Sequence, residues 1–108
     1  MGAIIMNPED ILKLDPIVHA PIRLAILSVL ISVKNANFTY LKKMTAASDG
    51  NLSTHLTKLE TSGYIIIKKK FIGKKPQTIC TITKKGENSL IKHLEQLEQI
   101  IEMQKNKS

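Results

Sequence analysis

Apolar positions in the first half of this 108-residue chain recur at spacings of three and four, which is typical of amphipathic helices. The pattern predicts helices at residues 7–14, 21–33, 39–44 and 48–62, with a loop at residues 34–37. Thr39 can cap the third of these helices. Gly63 follows the fourth, at the position where a left-handed residue often ends a helix.

The hydrophobic period changes at the start of the second half. Residues 64–67 are aromatic or β-branched, and residues 78–83 alternate between polar and apolar, so both segments predict strands. Gly73 and Pro76 mark residues 71–77 as the tip of a hairpin between the two strands. A further helix follows the second strand, and Thr83 can cap it.

The order of these elements predicts a mainly α fold with a small β-hairpin, in the α+β class. The length fits a single domain that spans residues 1–108, with its core at about residues 17–86. The composition, 43% hydrophobic and 23% charged, is that of a globular protein.

The last helix carries more apolar surface than a small core needs. A heptad seam runs along it, formed by Leu90, Leu94, Leu97 and Ile101. We predict that residues 87–108 form a C-terminal dimerisation helix, and that the helix at residues 7–14 contributes an N-terminal one. The alternative is that the seam packs on the core of its own chain.

Positive charge is concentrated in one segment. The chain has a net charge of +7, and residues 61–86 contain seven Lys and no acidic residue, while the segments on either side are nearly balanced. Concentrated positive charge favours a polyanionic partner, because an ordinary solvated surface mixes both signs. Nucleic acid is therefore favoured over an anionic membrane or an acidic protein.

Several segments resemble the winged helix-turn-helix transcriptional regulators of the MarR-like and ArsR-like kind, over roughly residues 17–90. The segments that carry the resemblance are residues 21–27, 50–60, 63–65, 73–76 and 82–86. The resemblance implies a homodimeric protein that binds double-stranded DNA sequence-specifically, as a repressor or an activator. It also implies that the helix at residues 48–62 is a recognition helix and that the hairpin is a wing.

The polar face of the predicted recognition helix is rich in short hydroxyl side chains. The candidate DNA-binding residues on this helix are Asn51, Ser53, Thr54, Thr57 and Lys58. Small hydroxyls allow a close approach to the major groove, and the Asn51 amide can pair with adenine through two hydrogen bonds. The only arginine, Arg23, lies in an earlier helix, where an ion-pair or packing role is the simplest prediction and a phosphate contact is the alternative. Neither the recognition helix nor the wing therefore has an Arg that could contact guanine.

The predicted wing, residues 68–77, supplies the remaining candidate DNA contacts. Strand alternation places Lys68 and Lys70 on one face, and Lys74 and Lys75 lie at the tip. These lysines can reach phosphates or an adjacent minor groove. Protection of an edge strand would explain one or two of these lysines, but not a segment of seven without an acid.

The sequence contains no arrangement typical of catalysis, so we expect a protein that is not an enzyme and needs no cofactor or metal. Its three histidines are isolated, and Cys80 has no second Cys that could complete a metal site. Its longest apolar run is too short to span a membrane, and its single Cys suits the cytoplasm. Two alternatives stay open: a winged-helix module for protein assembly, and a binder of structured RNA. Whether a small-molecule effector binds is also open.

Overall fold

A computed structural model describes residues 14–105, so the predicted helix at residues 7–14 lies outside the described residues except for its last position. The described helices are α1 (Pro16–His19), α2 (Pro21–Val33), α3 (Phe38–Thr45), α4 (Asp49–Thr61) and α5 (Lys84–Lys105). The described strands are β1 (Asn35–Asn37), β2 (Ile65–Ile72) and β3 (Lys75–Ile82). This architecture confirms the predicted mainly α fold of the α+β class.

Polar side chains cap the first turns of α1, α3 and α4, whereas the Ala20 that precedes α2 provides no side-chain cap. The Asp15 carboxylate accepts a hydrogen bond from the Ile17 amide (2.9 Å), and the Ser48 hydroxyl accepts one from the Asn51 amide (3.2 Å). The prediction that Thr39 caps α3 was wrong. Asn37 is extended, with φ −83° and ψ 166°, so its side chain reaches the Tyr40 amide and α3 begins at Phe38.

The sheet has three antiparallel strands in the order β1-β3-β2, so the prediction of a loop at residues 34–37 was wrong. Ala36 pairs with Cys80 and is buried, and this pairing adds β1 to the edge of the hairpin. The hairpin itself, residues 65–82, has an unbroken register from Ile65↔Ile82 to Ile72↔Lys75. Its turn is therefore only Gly73 and Lys74, and the predicted tip at residues 71–77 was too long.

The two faces of the sheet differ in environment. On the inner face, Ile65, Cys80 and Ile82 are buried in the core. The other residues of the core come mainly from one face each of α2, α3 and α4: Ile26, Leu27, Leu30, Leu41, Leu52, Leu56 and Leu59. On the outer face, Ile66 and Lys68 are exposed. Each side chain of the hairpin therefore lies on a face that the strand alternation defines.

The first half of α5 packs on this core, starting where the Thr83 hydroxyl accepts a hydrogen bond from the Gly86 amide (3.0 Å), as predicted. Gly86 and Leu90 are buried. A Cβ atom at Gly86 would overlap the backbone carbonyl of Tyr64, so only glycine allows this helix to approach β2 so closely. The close approach fixes the direction in which α5 leaves the core.

His93 is buried two turns further along α5, where α5 meets α1. Its Nε2 lies 3.3 Å from Nδ1 of His19, and its own Nδ1 has no hydrogen-bond partner among residues 14–105. Burial, and secondly the neighbouring His19, hold the pKa of His93 below its ordinary value of 6.5, while Asp15 acts in the opposite direction. The folded chain therefore favours neutral His93.

The close contact at Gly86 predicts opposite effects for two glycine substitutions. Gly86→Ala should lower the free energy of unfolding by about 2 kcal/mol or more, because the added methyl group forces α5 away from Tyr64. Gly50→Ala is the matched control, because no described atom lies within 4 Å of a Cβ at that helical position. It should leave the stability unchanged or raise it by about 0.5 kcal/mol. Urea unfolding checks both, and equal effects of the two substitutions would contradict the packing of α5.

Buried His93 predicts that the protein loses stability in mild acid. Because folding lowers the pKa of His93, the unfolded chain takes up the proton first as the pH falls below about 6.5. The free energy of unfolding should therefore fall between pH 7.5 and pH 5.5 (about one unit either side of that pKa). His93→Gln should reduce this fall but not abolish it, since the pKa of His55 is lowered too. An identical pH dependence in both proteins, measured by urea unfolding, would exclude His93 as its source.

Candidate nucleic-acid interface

The orientation of α4 about its own axis is fixed by three buried leucines, Leu52, Leu56 and Leu59. All five candidate residues of the recognition helix remain exposed: Asn51, Ser53, Thr54, Thr57 and Lys58. Thr54 and Thr57 lie on the side opposite the leucines, and Asn51 lies beside them in the first turn, near the exposed end of the helix. This surface carries hydroxyl and amide groups of the kind that reads base edges.

Arg23 ties α4 to the helices beneath it. Its guanidinium donates to the backbone oxygens of Ile17 (2.7 Å) and Pro16 (3.3 Å), and Nη1 lies 3.1 Å from Nδ1 of His55 in α4. Burial, and secondly the Arg23 charge, lower the pKa of His55, so that its neutral ring can accept this hydrogen bond. Of the roles predicted for Arg23, the structure shows helix packing.

The Thr54 hydroxyl already has a donor role within the helix. It donates to the backbone oxygen of Gly50 at 2.9 Å. In this conformation its oxygen retains only acceptor capacity, so it can receive a hydrogen bond from a base amino group but cannot donate to a phosphate oxygen. Thr54 is therefore better suited to base contact than to backbone contact.

The hairpin lysines lie on two different faces. Lys68 and Lys70 are exposed on the outer face, as the predicted alternation requires. Lys69 lies on the inner face, the face that packs against α4 nearer the core. Lys74 is in the turn, and Lys75 is the first residue of β3. The predicted residues are thus all exposed. Lys75 pairs with Ile72 and therefore shares the outer face with Lys68 and Lys70, so of the lysines in the two strands the register places only Lys69 on the inner face.

Two of the seven lysines in residues 61–86 belong to α5 and not to the hairpin. Lys85 donates to the backbone oxygen of Ser62 (2.9 Å) and lies over the Tyr64 ring, and Lys84 lies 3.9 Å from Glu87. Within residues 14–105, no carboxylate forms an ion pair with any of the five hairpin lysines. The hairpin therefore presents an uncompensated positive potential to a partner.

Two further exposed lysines, Lys42 and Lys43, lie in the last turn of α3 and were not predicted as site residues. Lys42 forms an ion pair with Asp49 (2.8 Å), which places α3 beside the first turn of α4. The signal was present, because no acidic residue lies between Asp15 and Asp49. When residues 1–60 are counted as one segment, the acidic residues outside this stretch offset its positive charge, and the net charge of the segment is close to zero.

The four residues of the predicted dimer seam do not share one environment. Leu90 is fully buried in the core of its own chain, so its packing needs no partner. Leu94 and Ile101 are 44% and 52% exposed, and Leu97 is partly buried. We refer to Leu94, Leu97 and Ile101 as the apolar stripe of α5. It continues along the helix beyond the part that packs on the core.

Candidate metal ligands do not cluster in the described part of the chain. Among residues 14–105, no three His, Cys, Asp or Glu side chains lie close enough together to hold a metal ion. Cys80 is buried and its pKa is raised to about 11, chiefly by burial, so its thiol is not a nucleophile at neutral pH. In the same range of residues, no helix is both long and apolar enough to cross a bilayer.

Comparison with known families decides what this arrangement is. Residues 22–101 match the family model of the winged helix DNA-binding domain. The chain belongs to this family. The predicted relationship to winged-helix transcriptional regulators is thereby confirmed.

Individual relatives agree with this assignment. The uncharacterized protein MJ0432 of Methanocaldococcus jannaschii is 40% identical over 70 residues, which are 65% of this chain and 76% of that protein. The structure of a transcriptional regulator homologue from Pyrococcus horikoshii OT3 matches with a TM-score of 0.78 and 30% identity, over 86% of this chain and 91% of the other. Overoxidized AbfR bound to DNA matches with a TM-score of 0.64 and 21% identity, over 71% of this chain and 56% of AbfR. This last match shows a common winged-helix fold.

Proposed function

We propose that this protein is a homodimeric transcriptional regulator that binds double-stranded DNA sequence-specifically and has no catalytic role. The observation that carries the proposal is the exposed hydroxyl and amide face of α4 beside a hairpin with five lysines and no compensating acid. A winged-helix relative, AbfR, has been solved bound to DNA, which supports duplex DNA as the partner.

The two parts of the surface contribute differently to binding. In the major groove, Asn51 and Thr54 read base edges, with Ser53, Thr57 and Lys58 beside them. Lys74 and Lys75 contact phosphates, which adds affinity without sequence preference. Lys68 and Lys70, on the outer face of the hairpin, attract the DNA at longer range.

The homodimer rests on the apolar stripe of α5. Leu97 and Ile101 continue the face that buries Gly86 and Leu90, but there the core of the described chain no longer covers them. Pairing with the same stripe of a second copy would bury these side chains and present two recognition helices to one DNA duplex. Specific recognition of a palindromic site follows from this pairing.

The rival partners make different demands on the surface. A protein-docking role for the recognition helix favours an apolar or mixed face, whereas the exposed face of α4 carries mainly hydroxyls. Double-stranded RNA has a deep, narrow major groove that side chains cannot read. A helix face suited to reading base edges therefore favours duplex DNA, and an RNA duplex of matched sequence is included in the test.

Mutations of the wing lysines and of the recognition helix should affect different properties of DNA binding: the wing affects overall affinity and its salt dependence, and the helix affects sequence preference. Lys74→Ala with Lys75→Ala should weaken binding to every DNA sequence and reduce the slope of log K against log salt by about one for each phosphate that the variant no longer neutralises. Asn51→Ala should leave this slope unchanged. It should reduce the preference for a selected site over random DNA by roughly 1–3 kcal/mol.

Affinity titrations at several salt concentrations, on selected DNA, random DNA and matched RNA, measure both effects. Glu60→Gln is the control for a change of charge on α4, because Glu60 borders the buried side of the helix. Equal salt slopes in the wild type and the double lysine variant would remove these lysines from the interface. Wild-type protein that binds RNA as tightly as selected DNA would contradict the proposed function.

Leu94→Glu should dissociate the dimer without unfolding the subunit. Leu94 is exposed in the single chain, so a charge there is tolerated by the monomer, but buried in the proposed interface it costs several kcal/mol. Lys92→Glu is the control, because Lys92 is exposed on another side of α5. Sedimentation at micromolar concentration should give a dimer for the wild type and Lys92→Glu, and a folded monomer for Leu94→Glu. A monomeric wild type would contradict the homodimer.

A further inference from the structure

The end of the hairpin carries two neighbouring apolar side chains that the core does not cover. Phe71 is 75% exposed and Ile72 is 59% exposed, and as consecutive residues of β2 they lie on opposite faces of the sheet. Single exposed apolar residues are common, so exposure alone identifies no function. The position of Phe71 relative to α4 is what distinguishes it from Ile72.

Phe71 lies on the inner face of the hairpin. The unbroken register from Ile65↔Ile82 onward means that Ile65, Ile67, Lys69 and Phe71 share one face. Ile65 and Ile67 pack with the core, to which α4 contributes its leucines. Phe71 stands about 13 Å further along the strand than Ile67, where the hairpin has left the core. It therefore projects past the core on the side of the recognition helix.

The surroundings of Phe71 are apolar across the strand and basic around it. Its partner in the register is Pro76, which lies directly opposite on β3 and shares the same face. Lys69 precedes it on this face and Lys74 lies in the turn, whereas Lys75 pairs with Ile72 on the opposite face. The inner side of the tip thus combines an aromatic ring and a proline with the nearby ammonium groups of Lys69 and Lys74, and no acid lies in the same segment.

We propose that Phe71 is an apolar wedge that enters the minor groove next to the major groove occupied by α4, and partly unstacks a base step there. This inference rests on the proposed DNA-binding function and adds a specificity-determining residue to it. Proteins that bind the minor groove use apolar wedges of this kind, including Phe and Pro, with cations that contact the flanking phosphates.

The wedge gives the protein a second source of specificity besides base contacts. Pyrimidine–purine steps such as TA and CA are the easiest to unstack and kink. The binding site should therefore carry such a step where the tip of the hairpin meets the DNA, although no polar group of Phe71 reads it. The duplex should bend at this position when the protein binds.

A comparison of two neighbouring substitutions tests the wedge. The probe is a duplex selected by the wild-type protein from random sequence, labelled for energy transfer at its ends and with 2-aminopurine at the flexible step. Phe71→Ala should lose the bend and the increase in 2-aminopurine fluorescence, and should bind about tenfold more weakly. Its salt slope should stay unchanged, because no charge is removed. Phe71→Leu should retain part of the bend, since an apolar wedge remains.

Ile72→Ala is the matched control, because it removes an exposed apolar side chain from the opposite face of the same tip. It should bend and bind DNA as the wild type does. A Phe71→Ala variant with the bend and affinity of the wild type would overturn the wedge, and so would equal losses in both variants. In either case, retained sequence-specific binding by the wild type would leave the proposed function standing. A wild type that selects no duplex at all would overturn the proposed function and the wedge together.

An anionic membrane is the other surface that exposed Phe and Lys side chains could meet. To distinguish a membrane from DNA as the partner of Phe71, the binding of the wild type and of Phe71→Ala to vesicles of phosphatidylserine and phosphatidylcholine is measured. A loss of vesicle binding in Phe71→Ala, with DNA bending unchanged, would assign the wedge to membranes and overturn this inference. Circular dichroism should show both variants folded, because neither side chain belongs to the buried core.

Discussion

Burial of the three α4 leucines in a core shared with the inner face of the sheet is the interaction on which the rest of the surface depends. Leu52, Leu56 and Leu59 contribute the apolar area that stabilises the core, and in doing so they fix the orientation of α4 about its axis. The hydroxyl face must then point outward. Because the same core buries Ile65, it also sets the inner and outer faces of the hairpin, and hence which side chains at its tip lie on the side of α4.

Polar contacts then restrict how this framework can move. Arg23 joins α1 and α4 through His55, and Lys85 joins α5 to the C-terminal end of α4. Such contacts add little to stability individually but reduce the freedom of the recognition helix. In contrast, the hairpin extends past the core and is held mainly by its own strand pairing and by β1. In the proposed complex with DNA, the rigid helix would read bases and the protruding basic hairpin would adapt to the shape of the duplex.

The helices could be predicted from the sequence because their signals are local. α2 and α4 have a Pro or Ser at the start and apolar residues at spacings of three and four along the helix. A Gly follows α4, and its φ of +82° confirms the predicted left-handed conformation. β1 could not be predicted, because Asn-Ala-Asn has no strand propensity and pairs only where Cys80 is brought beside Ala36. The length of the hairpin was underestimated. Gly73 and Pro76 were interpreted as marking a long tip, although Phe71 and Ile72 are residue types that favour a strand.

The candidate site was predicted in part. Exposure of the hydroxyl face followed from the leucine spacing, but two assignments needed tertiary structure. Leu90 has the same heptad spacing as Leu94, yet Leu90 is fully buried within its own chain and Leu94 is 44% exposed. The importance of Lys69 and Phe71 depends on the face of the hairpin that α4 packs against, which no local pattern reveals. Lys42 and Lys43 were visible in the charge pattern and were hidden only by the choice of segment.

Occupation of a major groove by α4, with the tip of the hairpin in the adjacent minor groove, is the central claim. Methylation protection by dimethyl sulfate tests it most directly, because guanine N7 lies in the major groove and adenine N3 in the minor groove. On a selected duplex, the wild-type protein should protect guanine N7 at two positions about one helical turn apart. It should also protect adenine N3 in the minor groove flanking each position. Protection in only one kind of groove, or protection spread evenly along the duplex, would contradict the account.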